Sequence, residues 1–320
     1  IAARPGEVPS ISLVVNGVGV ASTSATGAGN DGRWALFSLS AHELRQYLGD
    51  GDVVWVECDG RPVPIEGYGS ACEFSTGYET RFPELRRKLR AGFVFTKFGA
   101  FRKGTTRSAK RQVLDLYEEV AAVLRESHGY RAYPFYGNLL GAVREHDLIG
   151  HDVGGFDMGY VSRHAAAQDV RAELVGICRT LLERGYYLVV QPWSVYVMAG
   201  RGSQIIVDLN YAWFNPGGEL NLSYGWRYPP VTDRATLDYP RQSLIGGRLV
   251  DIPGNAEEIL EQLYGPSWAV PDQGFDVDAG LKRDPEYLLS VEEMASLEQL
   301  DPDRQLLVRR DDLERVAADA

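Results

Sequence analysis

Cysteine is scarce in this chain of 320 residues, and long apolar runs are missing. The three cysteines, Cys58, Cys72 and Cys178, are odd in number and lack metal-type spacing, which argues against a disulfide framework. Such low usage is typical of a reducing compartment. No stretch approaches the roughly 20 apolar residues of a membrane span, and no basic-then-apolar signal opens the chain. The sequence therefore predicts an ordinary soluble globular protein without a transmembrane segment.

Positive charge is also in short supply. The chain has 33 basic and 44 acidic residues, for a net charge of −11. A broad nucleic-acid-binding surface needs an excess of basic residues, so we expect no nucleic-acid partner. The balance still allows a small basic pocket for a phosphate group.

The length and the pattern of short apolar runs predict more than one domain. Residues 1–95 are expected to form a small all-β module, because β-rich runs at 11–15, 33–39, 52–58 and 61–65 are separated by turn signals such as Asn16-Gly17. One short helix is predicted within this module at 40–49. Residues 276–320 read as a helical C-terminal extension.

Residues 96–275 mix helical and strand patterns. An apolar face with helical spacing predicts a helix from about 111 to 129, and a second helix is predicted over 165–185. Apolar runs at 186–192, 194–200 and 203–214 are expected to be strands of one sheet. We therefore predict an α+β domain with a mixed sheet and flanking helices.

Three aspartates stand out by position. Asp152 and Asp157 flank a Gly-Gly-Phe bend before the predicted strand "FDMGYV", and Asp208 lies inside the apolar run "QIIVDLNY". A carboxylate within an apolar run is costly to bury unless it is paired or bound to a cation. Because side chains of adjacent strands converge, Asp157 and Asp208 are candidates to share one Mg²⁺. The alternative for each aspartate taken alone is a turn cap or a solvated side chain.

The turn "YGNLLG" (136–141) adds a second element. Gly137 and Gly141 allow close approach of the backbone, and the N–H groups that open a short helix at Leu139–Arg144 are suited to a phosphate. The fork-shaped cation of Arg144 also suits phosphate. The alternatives are a packing role for the glycines and a solvated arginine at a helix end.

These motifs together resemble the LicD/fukutin-related family of nucleotidyltransferase-fold enzymes. The segment "YGNLLGAVR" (136–144) matches the first part of the family signature, and "DLIGHDVGGFDMGYVS" (147–162) matches the second part. The strand "IIVDLNYAW" (205–213) is similar to the strand that carries the third carboxylate. The C-terminal segment 240–271 also resembles the family pattern, so the resemblance spans roughly residues 95–272.

The resemblance implies a nucleotidyltransferase-like fold and a metal-dependent phosphotransferase. Such an enzyme would move a phosphorylated alcohol, such as ribitol phosphate or choline phosphate, from a CDP-activated donor to a cell-surface glycan or polyol-phosphate acceptor, as in bacterial teichoic acid synthesis. By position, Asp157, Asp208 and Asp152 would be the catalytic and Mg²⁺- or Mn²⁺-binding carboxylates. Gly137, Asn138 and Arg144 would bind the donor. The implied location is the cytoplasm, at the inner face of the membrane.

The chain departs from this pattern at one point. Where the family has the first ligand of a close carboxylate pair, this sequence has Gly155, with one extra residue in the Gly154-Gly155 bend. One interpretation is that the pliable bend lets Asp152 replace the missing ligand. The other is a non-catalytic nucleotide- or glycan-binding protein that keeps the fold without a complete metal site.

Overall fold

The computed structural model describes residues 10–24, 27–28, 35–36, 41–58, 60–64, 67, 69–95, 99–104, 106–149, 155–225, 227–228, 239–266, 268–269, 284–299 and 305–309. The chain divides into two compact units. The described residues up to 106, together with 264–266 and 268–269, belong to the first unit. The second unit contains 107–149, 155–263 and the described residues from 284 onward.

The first unit is built on a five-stranded antiparallel sheet with the strand order β2-β1-β5-β6, in which β7 also pairs with β5. The described strands of the first unit, inside and outside this sheet, are β1 (Ser10–Val15), β2 (Val18–Ser24), β3 (Gly27–Ala28), β4 (Ala35–Leu36), β5 (Val53–Cys58), β6 (Arg61–Val63), β7 (Cys72–Glu73), β8 (Phe93–Phe95) and β9 (Phe101–Lys103). The hairpins β3–β4 and β8–β9 stand outside this sheet.

The predicted turn Asn16-Gly17 connects β1 to β2. Both residues have positive φ angles, 47° and 79°, which is the backbone that a two-residue hairpin turn requires and that Asn-Gly favours. The predicted helix at 40–49 is a 3₁₀ helix, His42–Tyr47. The run 33–39 lies mostly outside the described residues.

The first unit is β-rich but not all-β. Its sequence also forms the helix α1 (Phe82–Arg90), which we did not predict. Leu85 of α1 is fully buried in the apolar core of this unit, and Phe82 and Leu89 pack against that core. The hairpin β8–β9 crosses the predicted boundary at residues 95–96 and lies wholly in the first unit, which extends to about residue 106.

The second unit contains a mixed eight-stranded sheet. Six of its strands follow the order β10-β11-β14-β13-β12-β19, while β15 pairs with β14 and β16 pairs with β15. Its strands are β10 (Tyr133–Pro134), β11 (Phe156–Val161), β12 (Tyr187–Val190), β13 (Val195–Met198), β14 (Val207–Phe214), β15 (Leu220–Leu222), β16 (Arg227–Tyr228) and β19 (Leu306–Val308). The hairpin of β17 (Arg241–Ile245) and β18 (Arg248–Ile252) is separate. The three apolar runs after residue 186 are therefore neighbouring strands, as predicted.

The helices of the second unit are α2 (Arg107–Val123), α3 (Tyr136–Leu140), α4 (Ala167–Glu183), α5 (Ala256–Tyr264) and α6 (Val291–Glu298). Single π-helical turns, Leu124–His128 and Gly141–Glu145, extend α2 and α3, and a short 3₁₀ helix spans Pro285–Tyr287. The helices α2 and α4 confirm the two long predicted helices. The α+β class is confirmed, whereas the assignment to the nucleotidyltransferase fold stays a prediction.

The C-terminal segment is not a separate helical extension. Its helix α6 is followed by β19, which pairs in parallel with β12 and continues the main sheet. A strand of three residues carries too little pattern to be recognised in a charged segment. Among the described residues, no helix is both long and apolar enough to cross a bilayer.

Candidate functional site

Two of the three predicted carboxylates lie side by side. The strands β11 and β14 are parallel neighbours, and their register pairs Asp157 directly with Asp208. On the other side of β14, Asp208 pairs with Tyr196 of β13. Adjacent strands are about 4.8 Å apart, so this register concentrates two carboxylates in one place. Asp152 lies outside the described residues.

Alternation along the strands decides which face carries the pair. Phe156 is fully buried and its ring packs 4.6 Å from that of Tyr117 on α2. Because successive side chains of a strand point to opposite faces, Asp157 and its partner Asp208 face away from α2. In the sequence an apolar residue immediately precedes each aspartate, Phe156 before Asp157 and Val207 before Asp208.

Asp208 is only 6% exposed, and its two oxygen atoms have different surroundings. Tyr224 donates a hydrogen bond to Oδ2 over 3.1 Å. Oδ1 is buried and has no hydrogen-bond partner among the described residues. Burial raises the pKa of this carboxyl to about 6, although the hydroxyl groups of Ser194 and Tyr224 act against the rise. A buried carboxylate oxygen without a partner is the kind of group that a bound cation satisfies.

Aromatic rings enclose Tyr224. The ring of Tyr136 meets it edge-on with centroids 5.5 Å apart, and Trp193 lies at 6.3 Å. Burial, followed by the charge of Asp208, raises the pKa of Tyr224, so its hydroxyl stays protonated and able to donate. Sequence reasoning missed this residue, since it lies in a turn after β15, and nothing in the local pattern links it to Asp208.

The turn before β11 holds the carboxylate strand in place. Asn138 is buried, and its side-chain Oδ1 accepts a 2.7 Å hydrogen bond from the backbone N–H of Asp157. The helix begins at Tyr136, which has a φ of 46°, and not at Leu139 as predicted. Asn138 therefore positions the strand, which does not test its predicted contact with a donor.

The remaining residues of this turn are packed closely. A Cβ atom on Gly141 would lie 2.5 Å from the carbonyl oxygen of Asp147, so a glycine is needed for packing. Gly137 lies in the first turn of α3. The side chain of Arg144 is only 10% exposed and pairs with Glu145 at 2.7 Å, so it is not the solvated arginine of the alternative interpretation.

Gly155 has a structural reason to be a glycine. A Cβ atom there would lie 2.8 Å from the carbonyl oxygen of Ile206, which also accepts a hydrogen bond from the N–H of Phe156. The two strands thus approach too closely at this point for a side chain. A carboxylate at position 155 would displace the strand that carries Asp208.

Two carboxylates do not make a complete cation site. Within the part of the chain that the structure describes, no group of three His, Cys, Asp or Glu side chains is placed to hold a metal ion. Asp157 and Asp208 are the two carboxylates that the strand register brings together there. Mg²⁺ commonly takes only one or two carboxylates and completes its shell with water and substrate phosphates, so the pair fits that ion.

No protein-family model and no curated protein matches the chain. Several solved structures show weak likeness to the chain, among them the three that follow. The CdnC:HORMA-deltaN complex of E. coli MS115-1 has 13% identity and a TM-score of 0.31, with 47% of each chain covered. CdnC with ATP from the same strain has 15% identity and a TM-score of 0.30, with 52% of this chain and 50% of that chain covered. The STING-associated CdnE c-di-GMP synthase from Capnocytophaga granulosa has 11% identity and a TM-score of 0.29, with 67% and 79% covered.

The matched region spans about half the length of the two E. coli chains. At such TM-scores, these likenesses establish neither the fold nor the function of this chain.

Proposed function

We propose that the chain is a cation-dependent transferase that moves a phosphorylated group from a nucleotide-activated donor to an acceptor hydroxyl. The observation that carries the proposal is the register of Asp157 with Asp208, together with the buried, unpartnered Oδ1 of Asp208. A buried carboxylate in that state costs free energy unless a ligand satisfies it. A divalent cation held by the two aspartates would supply that partner.

The chemistry assigns a role to each group. Asp157 and Asp208 would hold the cation, with Asp152 as the proposed replacement for the missing ligand at position 155. When bound, the cation neutralises the pyrophosphate of the donor and stabilises the departing nucleotide. Tyr224 fixes one oxygen of Asp208 by its hydrogen bond, and Asn138 fixes the backbone of Asp157.

The finer proposal concerns the substrates. The resemblance of residues 136–162 and 205–213 to LicD/fukutin-related enzymes supports a CDP-activated alcohol, such as CDP-ribitol or CDP-choline, as the donor. A glycan or a polyol phosphate is the proposed acceptor. Gly137 and Arg144 are proposed to meet the donor phosphates, since a compact turn and a held guanidinium suit that charge.

Calorimetric titration of the full chain with CDP and CDP-ribitol tests the proposal, first with Mg²⁺ and then with a chelator. We expect binding that requires Mg²⁺ and weakens by at least about a hundredfold in Asp157→Asn and Asp208→Asn, because each loses a charged ligand. The control is Asp169→Asn, an exposed aspartate on α4. Binding that is indifferent to the chelator and to both substitutions rejects the transferase.

The glycine at position 155, where the family pattern has a ligand, supports one alternative, a nucleotide- or glycan-binding protein without catalysis. The two functions differ in the fate of the bound donor. A transferase incubated with CDP-ribitol, Mg²⁺ and an acceptor releases cytidine monophosphate, which chromatography detects. A binding protein retains CDP-ribitol intact.

A further inference from the structure

The positive charge of this acidic protein is concentrated in one short segment of the first unit. Between residues 81 and 103 there are eight basic residues and one acidic residue, whereas the whole chain has 33 and 44. The described basic residues of the segment lie on α1 and on β9, and Lys97 lies outside the described residues. The contacts within the first unit show which of these basic side chains have an acidic or hydroxyl partner in the fold.

Part of the charge has partners within the first unit. Glu84 pairs with Arg81 at 2.6 Å and with Lys88 at 3.2 Å, and Lys88 also donates to the hydroxyl of Tyr47. Arg102 pairs with Glu43 at 3.0 Å. These contacts account for three of the basic side chains and for the single acidic residue of the segment.

Four further cations are exposed and have no ion pair or hydrogen bond within the described chain: Arg86, Arg87, Arg90 and Lys103. We call them the basic cluster. Arg86, Arg87 and Arg90 are neighbours at helical spacings of three and four residues. In the β8–β9 hairpin, Lys103 pairs with Phe93, and Phe93 lies three residues after Arg90 in the sequence. The backbone N–H of Gly104 donates a hydrogen bond to the carbonyl oxygen of Gly92. The three arginines therefore share one helix, and Lys103 lies on the hairpin that follows the C-terminal end of that helix.

Helix electrostatics explain only part of the cluster. Basic residues in the last turn complement the helix dipole, which accounts for Arg87 and Arg90. Like charges three or four residues apart on a helix repel each other, so adding Arg86 opposes folding. The dipole also gives no reason for Lys103 on the neighbouring hairpin. This excess of unneutralised charge fits a polyanionic partner.

The side chains around the basic cluster limit the kinds of polyanion that it can bind. The apolar side chains of α1 pack into the core of the first unit, so the helix has no apolar face left to insert into a lipid surface. Tyr78 is the exposed large apolar side chain of the first unit in its described part, and it precedes α1 at the end away from Arg90. Among the described residues around the cluster, no exposed aromatic side chain offers the stacking platform that single-stranded nucleic acids use.

We propose that the basic cluster binds a phosphodiester-linked polyol or glycan chain. Arginine forks pair with phosphate oxygens through two hydrogen bonds, and three neighbouring arginines can follow successive phosphates of a flexible chain. The further identification of this polymer as the acceptor rests on the proposed function, but its binding to the cluster does not.

Fluorescence anisotropy of the full chain with labelled poly(ribitol phosphate) tests this surface. The cluster variant carries Arg86→Gln, Arg87→Gln and Arg90→Gln. Its matched control carries Arg111→Gln, Arg179→Gln and Arg201→Gln, which removes the same charge from exposed sites of the second unit. At low ionic strength we expect the cluster variant to bind on the order of a hundredfold more weakly, and the control to change by less than about threefold. The single variant Lys103→Gln, on a different element, should lose about fivefold.

Equal losses in the cluster variant and its control overturn the proposal, as does equal binding of neutral dextran. Tighter binding of an RNA oligonucleotide or of vesicles containing phosphatidylglycerol also overturns it. Calorimetry with CDP on the same variants separates this surface from the carboxylate site. If the polymer binds through the cluster while CDP does not bind at all, the proposed function fails and the surface stands.

Discussion

Among the described residues each unit buries one aspartate, and the two differ in how well their oxygens are satisfied. Asp52 of the first unit is 2% exposed, and Asp208 of the second is 6% exposed. Asp52 accepts hydrogen bonds from Asn16 at 2.6 Å, from the N–H of Gly49 at 2.8 Å and from Thr80 at 2.6 Å. Asp208 accepts one bond from Tyr224 on one oxygen, and its other oxygen has no partner among the described residues.

The difference separates a carboxylate that the fold satisfies from one that keeps an oxygen without a hydrogen-bond partner among the described residues. The bonds to Asp52 hold the loops at residues 16, 49 and 80 together, so the charge serves the fold. Asp208 contributes little to the fold by itself, since no described group offsets its burial in full. Although both aspartates are buried, we therefore expect replacement of Asp52 to destabilise the fold and replacement of Asp208 to stabilise it at neutral pH.

The largest effect is expected for Asp52→Ala. The change leaves the Asn16, Gly49 and Thr80 donors without their acceptor, and hydrogen bonds to charged groups contribute roughly 1.5–3 kcal/mol each. We expect the first unit to lose about 4 kcal/mol, measured by hydrogen exchange of the β1 and β5 amides in the full chain. Asp52→Asn keeps the shape and should lose less. A loss below about 1 kcal/mol for the alanine variant would break the comparison.

Gly155→Asp should come next. It adds a carboxylate beside Asp157, but its Cβ atom would meet the carbonyl oxygen of Ile206, and overpacking costs about 1–3 kcal/mol. We expect the free energy of unfolding to fall by about 2 kcal/mol, with no gain in Mg²⁺ affinity by calorimetry. Gly200→Asp is the control, because a Cβ atom there has open space. A tighter Mg²⁺ site in the Gly155 variant would show instead that this glycine replaced a ligand.

Asp208→Asn is expected to stabilise the chain at neutral pH in the presence of a chelator. Because burial raises the pKa of Asp208 to about 6, the folded state holds its proton more tightly than the unfolded state does. Stability from this group is thus greatest in acid and is lost as the pH rises from about 4 to 6. We expect the variant to gain about 2 kcal/mol at pH 8 and nothing at pH 4, by urea unfolding.

The exposed Asp169→Asn serves as the control for this pH dependence. A variant at position 208 that is less stable than the original chain at pH 8 would place Asp208 in the same structural class as Asp52. Addition of Mg²⁺ should stabilise the original chain and leave the Asp208→Asn variant unchanged.

The smallest effect is expected for Tyr224→Phe. It removes the one hydrogen bond to Oδ2 of Asp208 and should lower the free energy of unfolding by about 1 kcal/mol at pH 8. Tyr196→Phe, on the strand next to Asp208, is the matched control. Equal losses in the two variants would mean that the Tyr224 bond does not distinguish the site.

Much of the fold follows from local sequence patterns. The helices α2 and α4, the strands β12 to β14, and the Asn16-Gly17 hairpin were predicted because apolar spacing and turn chemistry act over a few residues. The helix α1 was missed since its many basic residues obscure a short apolar face, and β19 was missed because three residues show no period. The proposed role of Asp152, which lies outside the described residues, stays a prediction.

The sequence by itself determined the α+β class and the excess of basic residues between 81 and 103. The site roles of the aspartates and glycines that it singled out stay predictions. Only the tertiary structure decided that Asp157 faces Asp208, that Tyr224 and Asn138 hold them, and that Gly155 has no room for a side chain. The physical reason is distance along the chain. Helical and strand periods are fixed by neighbouring residues, whereas strand register and the partners of a buried carboxylate depend on segments that meet only after folding.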